Sequence, residues 1–72
     1  MKRTYKMEEL CCANCAAKME TAINKLDDVD TAVINFMSQR ITIVADEDKF
    51  ENVLDEAQKI VTKIERDCKI IR

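Results

Sequence analysis

The chain has no glycine, no proline, no histidine and no tryptophan among its 72 residues, and its aromatic side chains are one tyrosine and two phenylalanines. Without histidine, a metal site must draw its ligands from sulfur and carboxylate groups. Without glycine and proline, the turns must be made by Asp, Asn, Ser and Lys. The few aromatics and the net charge of −2 argue against an RNA-binding surface, which requires stacking rings and a basic face.

The sequence also has no long apolar run. No segment approaches the roughly 20 apolar residues of a membrane span, and Lys2 and Arg3 are not followed by the apolar core of a signal peptide. We therefore expect a cytoplasmic chain whose cysteines stay reduced. Its length predicts a single domain over residues 1–72. The chain has no nucleotide loop or phosphorylation motif, so it is not expected to be an enzyme by itself.

Three of the four cysteines lie in one stretch, Leu10-Cys11-Cys12-Ala13-Asn14-Cys15. If a helix begins near Asn14, Cys12 lies on the incoming loop and Cys15 in the first turn, so both sulfurs can reach one ion at about 2.3 Å. A helix N-terminus also favours the thiolate form. Two thiolates suit Cu(I), whereas a third one from Cys11 favours Zn(II), Cd(II) or Pb(II).

The hydrophobic pattern predicts six elements. Alternation indicates half-buried strands, and apolar residues at helical spacing indicate two amphipathic helices, the second capped by Asp46-Glu47-Asp48. The elements are a strand at 4–8, a helix at 14–26, strands at 29–36 and 40–45, a helix ending at Ile64, and a short strand from Cys68. This order predicts an α+β, ferredoxin-like βαββαβ fold: a four-stranded antiparallel sheet with two helices on one face.

The cysteine motif resembles that of a heavy-metal-associated (HMA) domain, in which the usual pattern is Gly-Met-x-Cys-x-x-Cys. Residues 12–18, 33–36 and 63–67 are most similar to the N-terminal metal-binding domain of cadmium/zinc/lead-transporting P-type ATPases. The resemblance implies that Cys12 and Cys15 are metal ligands and that Cys11 is a third, since that position often holds an acidic or thiol ligand in this branch. Glu9 stands where the family usually has glycine.

The resemblance further implies a function in metal transport. The domain would bind Zn(II), Cd(II) or Pb(II) and hand the ion on by ligand exchange to the rest of the same ATPase or to a donor or acceptor protein. It would contact neither nucleic acid nor membrane and would act as a monomer or a metal-bridged dimer. Two alternatives stay open: a free-standing Cu(I) metallochaperone that uses Cys12 and Cys15 alone, and a thiol redox module in which these residues form a reversible disulfide.

The roles of the remaining candidate residues are less directly specified. Cys68 alternates with Ile70 and is expected to face the core, as are Met7 and Met19. Lys18 follows Cys15 by three residues and is expected near the thiolates. A fourth metal ligand could come from Glu8, Glu9, Cys68, water or a partner.

Overall fold

The computed structural model describes residues 1–10 and 12–72. The elements are β1 (Lys2–Glu8), α1 (Ala13–Asn24), β2 (Val29–Asn35), β3 (Arg40–Ala45), a 3-10 turn (Glu47–Lys49), α2 (Phe50–Ile64) and β4 (Lys69–Ile71). The four strands are antiparallel in the order β2-β3-β1-β4, which confirms the ferredoxin-like α+β fold. No helix within the described residues has the length and apolarity needed to cross a bilayer.

The hydrophobic core lies between the two helices and one face of the sheet. Alternate residues of the central strands point into it, and Ile41 and Ile43 of β3 are fully buried. Met7 and Met19 are 1% and 0% exposed, so their expected place in the core is confirmed. The opposite sheet face is exposed, and on it the hydroxyls of Thr4 and Thr42 lie 3.0 Å apart across β1 and β3.

The first helix is shorter than its apolar pattern predicted, because it ends at Asn24 rather than at Leu26. The backbone N–H groups of Lys25 and Leu26 donate to the carbonyls of Ala22 and Ile23, three residues back. This tighter hydrogen bonding ends the α-helical pattern and turns the chain towards β2. Leu26 nevertheless packs against the core, which explains why the apolar spacing continues past the helix end.

The predicted cap of the second helix is wrong in its details. The side chain of Asp46 makes no capping hydrogen bond, and Asp46 precedes a 3-10 turn rather than α2 itself. That turn is closed by the backbone, with the N–H of Lys49 donating to the carbonyl of Asp46 at 3.0 Å. The acidic residues mark the start of the helical region, but α2 begins only at Phe50.

Each edge strand of the sheet is bonded by an amide side chain from a helix. Asn24 of α1 donates to the carbonyl of Ala32 in β2 at 2.8 Å and accepts from the Ala32 N–H at 2.8 Å. Gln58 of α2 accepts from the N–H of Ile70 in β4 at 2.8 Å and donates to the Cys68 carbonyl at 3.3 Å. These bonds occupy backbone groups that an edge strand otherwise leaves open to another chain.

Candidate metal centre

The two residues that follow β1 have a distinctive backbone conformation and one buried side chain. Glu9 has a φ of 60°, in the left-handed region. Glycine adopts this region freely, whereas other residues do so at a cost of about 1–2 kcal/mol. Glu9 therefore has a backbone conformation that glycine, the usual residue at this position of the motif it resembles, adopts more easily. The next residue, Leu10, anchors the loop in the core, where it is 2% exposed.

Cys12 is the N-cap of α1. Its backbone is extended, with φ −152° and ψ 151°, and its sulfur accepts the backbone N–H of Cys15 at 3.2 Å. Its carbonyl accepts the N–H of Ala16 at 3.1 Å, which begins the helical pattern. Cys12 thus lies on the incoming loop and Cys15 in the first turn, the placement predicted from their spacing.

The two sulfurs face each other at this junction. The Sγ atoms of Cys12 and Cys15 are 3.2 Å apart, and both side chains are half-buried. The partial positive charge of the helix N-terminus favours a thiolate at Cys12, and a thiolate is the form of cysteine that binds a metal ion. The pair can therefore supply two thiolates to one soft metal ion.

A carboxylate that the sequence analysis did not single out lies beside this pair. Oε2 of Glu65 lies 3.6 Å from Sγ of Cys15, within reach of a thiol hydrogen bond. Glu65 is the C-cap of α2, and its N–H donates to the carbonyl of Val61 at 2.8 Å, which fixes the end of the helix beside the thiols. One signal was available: Glu65 is an acidic residue directly after the apolar stripe of α2.

The other candidate residues named from the sequence include Cys11, Cys68, Glu8 and Lys18. Cys11 lies outside the described residues. Cys68 is fully buried in the core, as expected, and Glu8 and Lys18 are exposed. Across residues 1–10 and 12–72, no group of three or more Cys, His, Asp or Glu side chains could hold a metal ion. The described site is therefore a thiol pair with one adjoining carboxylate, and a third thiolate stays a prediction.

The pKa values of the two thiols are shifted in opposite directions. The backbone N–H of Cys15, which donates to the Cys12 sulfur, is the main cause that lowers the pKa of Cys12, and the adjacent Cys15 side chain lowers it further. Cys15 gives its proton up with difficulty: its hydrogen bond with Cys12, partial desolvation and the nearby Glu65 carboxylate raise its pKa to about 11. Cys12 is therefore the first of the two to ionise.

We expect Cys12 to be alkylated by iodoacetamide about tenfold faster than Cys15 at pH 8. The higher pKa of Cys15 reduces its thiolate fraction by about 100-fold relative to an ordinary thiol, and greater intrinsic nucleophilicity offsets about tenfold of this. Single-hit labelling with tandem mass spectrometry separates Cys12 from Cys11 and Cys15. In guanidinium the Cys12 and Cys15 rates should converge. Equal rates in the folded protein would contradict the assignment.

A ferredoxin-like sheet with two thiols at a loop–helix junction is an arrangement suited to a small metal-binding module. The chain belongs to the heavy-metal-associated domain family, whose model matches residues 4–69. The fold, the position of the thiol pair and the match over nearly the whole chain agree.

The curated relatives are much longer proteins. The chain is 36% identical over 45 residues to a probable cadmium-transporting ATPase of Listeria monocytogenes, covering 62% of this chain and 6% of the relative. It is 28% identical over 65 residues to the cadmium, zinc and cobalt-transporting ATPase of Bacillus subtilis (strain 168), covering 90% of this chain and 9% of the relative. The chain thus spans less than a tenth of either relative's length.

A solved structure gives a similar picture. The N-terminal domain of a potential copper-translocating P-type ATPase from Bacillus subtilis, in its Cu(I)-loaded state, superimposes with a TM-score of 0.74 at 26% identity. The alignment covers 96% of this chain and 84% of that one. The chain is therefore similar to parts of ATPases that are named for different metals.

Proposed function

We propose that residues 1–72 form one HMA domain that binds Zn(II), Cd(II) or Pb(II) through Cys11, Cys12 and Cys15, as the N-terminal domain of a metal-exporting P-type ATPase. The observation that carries this proposal is the Cys12–Cys15 sulfur pair, 3.2 Å apart, with the Glu65 carboxylate 3.6 Å from the Cys15 sulfur. ATP hydrolysis would belong to residues outside this chain.

The carboxylate favours a divalent ion over Cu(I). Two thiolates already satisfy a linear Cu(I), which gains little from an oxygen ligand, whereas Zn(II) accepts carboxylate oxygen together with sulfur in a four-coordinate site. When the ion replaces the thiol protons, Glu65 no longer accepts from Cys15 and is free to turn its oxygen to the metal. The relatives named for cadmium support this choice.

Exposure of the site supports transfer by ligand exchange. Cys12 and Cys15 are half-buried, so a thiolate or carboxylate of another domain can reach the ion before the first ligands leave. The exchange partner would be the remainder of the same ATPase or a metal donor protein. The domain would then work at the cytosolic side of the membrane.

An anaerobic titration of the reduced protein with Cd(II), Pb(II) and Cu(I) tests the proposal. We expect tight one-to-one binding of the divalent ions. Binding is monitored by the thiolate-to-metal charge-transfer absorbance. In Cys11→Ser this absorbance should fall by about a third, because one of three thiolates is lost. Glu65→Gln should weaken Cd(II) binding more than Cu(I) binding, since only the divalent ion uses the carboxylate.

The same titration identifies the rival functions. If Cys11→Ser leaves the spectrum unchanged and Cu(I) binds far more tightly than Cd(II), the chain is a copper carrier that uses Cys12 and Cys15. If no metal binds tightly, and Cys12 and Cys15 form a reversible disulfide whose reduction potential lies above that of the cytosol, the chain is a redox module.

A further inference from the structure

Gln39, in the turn between β2 and β3, contacts Leu10, which lies just before the Cys12–Cys15 pair. Gln39 has a φ of 53°, in the left-handed region, and it is the last residue before β3. Its N–H donates to the carbonyl of Phe36 at 3.3 Å, which closes the turn, and its own carbonyl accepts the N–H of Met7 at 2.8 Å. The turn is thereby attached to the end of β1, directly before the site loop.

The side chain of Gln39 extends this attachment into the loop itself. Its Nε2 donates to the carbonyl of Leu10 at 2.9 Å, and the bond is partly buried. Leu10 is two residues before Cys12 and has its own side chain in the core. The carbonyl of Leu10 is therefore held from a distant part of the chain, 29 residues away in sequence.

Cys12 is fixed from its two sides by different contacts. On the helix side its sulfur accepts from the Cys15 N–H and its carbonyl from the Ala16 N–H. On the loop side the anchors are the buried Leu10 side chain and the Gln39 bond to the Leu10 carbonyl. Loss of the Gln39 side-chain bond would remove a polar restraint on the Leu10 carbonyl, and the buried Leu10 side chain alone restrains rotation of that peptide group poorly.

We propose that Gln39 is a positioning residue for the metal site: it holds the Leu10 carbonyl and so restrains the backbone that presents the Cys12 sulfur. This inference rests on the proposed function, because it requires Cys12 to be a metal ligand. Residues that orient ligands from outside the coordination sphere typically contribute 10–100-fold to metal affinity. Gln39 contributes in this way without itself contacting the ion.

Gln39→Gly separates positioning from a role in the turn alone. Glycine adopts a φ of 53° without steric cost, so the turn is retained and only the side-chain donor is lost. We expect the apo Tm to stay within about 4 °C of wild type. Cd(II) affinity should fall about tenfold or more. Amide hydrogen exchange at residues 12–16 of the apo protein should become faster.

A matched variant and a double-mutant cycle complete the experiment. Met37→Ala changes a residue of the same turn that is 90% exposed, and it should leave Cd(II) affinity unchanged. In a Cys12→Ser background, Gln39→Gly should have little further effect on Cd(II) binding, because Gln39 acts through Cys12. A purely structural role would lower affinity equally in both backgrounds.

Three outcomes would overturn the inference. If wild type binds Cd(II) tightly and Gln39→Gly binds it equally well, Gln39 does not position the site. If Gln39→Gly lowers affinity to the same extent with and without Cys12, or only together with a large fall in Tm, its role is structural. If wild type itself binds no metal ion at Cys12, the proposed function fails and this inference fails with it, and that result is distinguished from the first two by the wild-type titration alone.

Discussion

Replacing Cys12 with serine is expected to weaken Cd(II) binding about 100-fold while leaving the apo domain at least as stable. Structural zinc sites contribute about 10–16 kcal/mol over four ligands, hence roughly 3 kcal/mol for each ligand lost. That energy corresponds to about 100-fold in affinity. Serine stays protonated at neutral pH and does not replace a thiolate.

The stability of Cys12→Ser follows from the position of Cys12 as the N-cap of α1. The Cys12 sulfur accepts the Cys15 N–H, and a serine hydroxyl makes this bond better than a thiol does. Serine is among the preferred N-cap residues, so the free energy of unfolding should be unchanged or slightly higher. Chemical denaturation of the metal-free protein and a competition titration with a chelator measure the two effects separately.

Two control variants make this result specific. Cys12→Ala removes both the thiolate and the cap, so it should lose the same affinity and also about 1 kcal/mol of stability. Cys68→Ala changes a thiol that is fully buried in the core, and it should keep full Cd(II) affinity. Undiminished Cd(II) binding by Cys12→Ser would exclude Cys12 as a ligand.

Asn24→Ala is expected to lower the free energy of unfolding by about 2 kcal/mol. The Asn24 side chain makes two hydrogen bonds to Ala32 in β2 and a third to the carbonyl of Glu20. Each contributes about 0.5–1.5 kcal/mol, and the better helix propensity of alanine offsets part of the loss. For a domain of this size, Tm should fall by about 10 °C, measured by calorimetry.

Loss of the Asn24 side chain should also increase self-association of the protein. Without Asn24, the Ala32 backbone groups of the edge strand β2 are open to pairing with another chain, so light scattering should rise on heating. Asn24→Asp keeps the acceptor for the Ala32 N–H, so it should retain the hydrogen bond that alanine loses there. It also loses the donor to the Ala32 carbonyl, and the aspartate carboxylate should repel that carbonyl. Lys25→Ala, at the exposed neighbouring position, should have little effect. If Lys25→Ala lowered the Tm as much as Asn24→Ala does, the hydrogen bonds to the edge strand would not be the cause of the Asn24→Ala effect.

The fold and the thiol pair could be predicted because both depend on local sequence patterns. Alternation in β3 and the stripe of α2 specified which residues are buried, and the spacing of Cys12 and Cys15 specified their convergence at a helix start. The helix boundaries were less predictable. Asp46 was expected to cap α2 by its side chain, but a backbone-closed 3-10 turn lies between them, as is frequent at helix termini.

The sequence alone determined the order of the elements, the core faces and the position of the thiols, because these follow from the period of the backbone over a few residues. The tertiary structure alone decided which distant groups meet. Glu65 reaches Cys15 across 50 positions, and Gln39 reaches Leu10 across 29. Such contacts depend on how the finished helices and strands pack against one another, and no pattern within a single element encodes that packing.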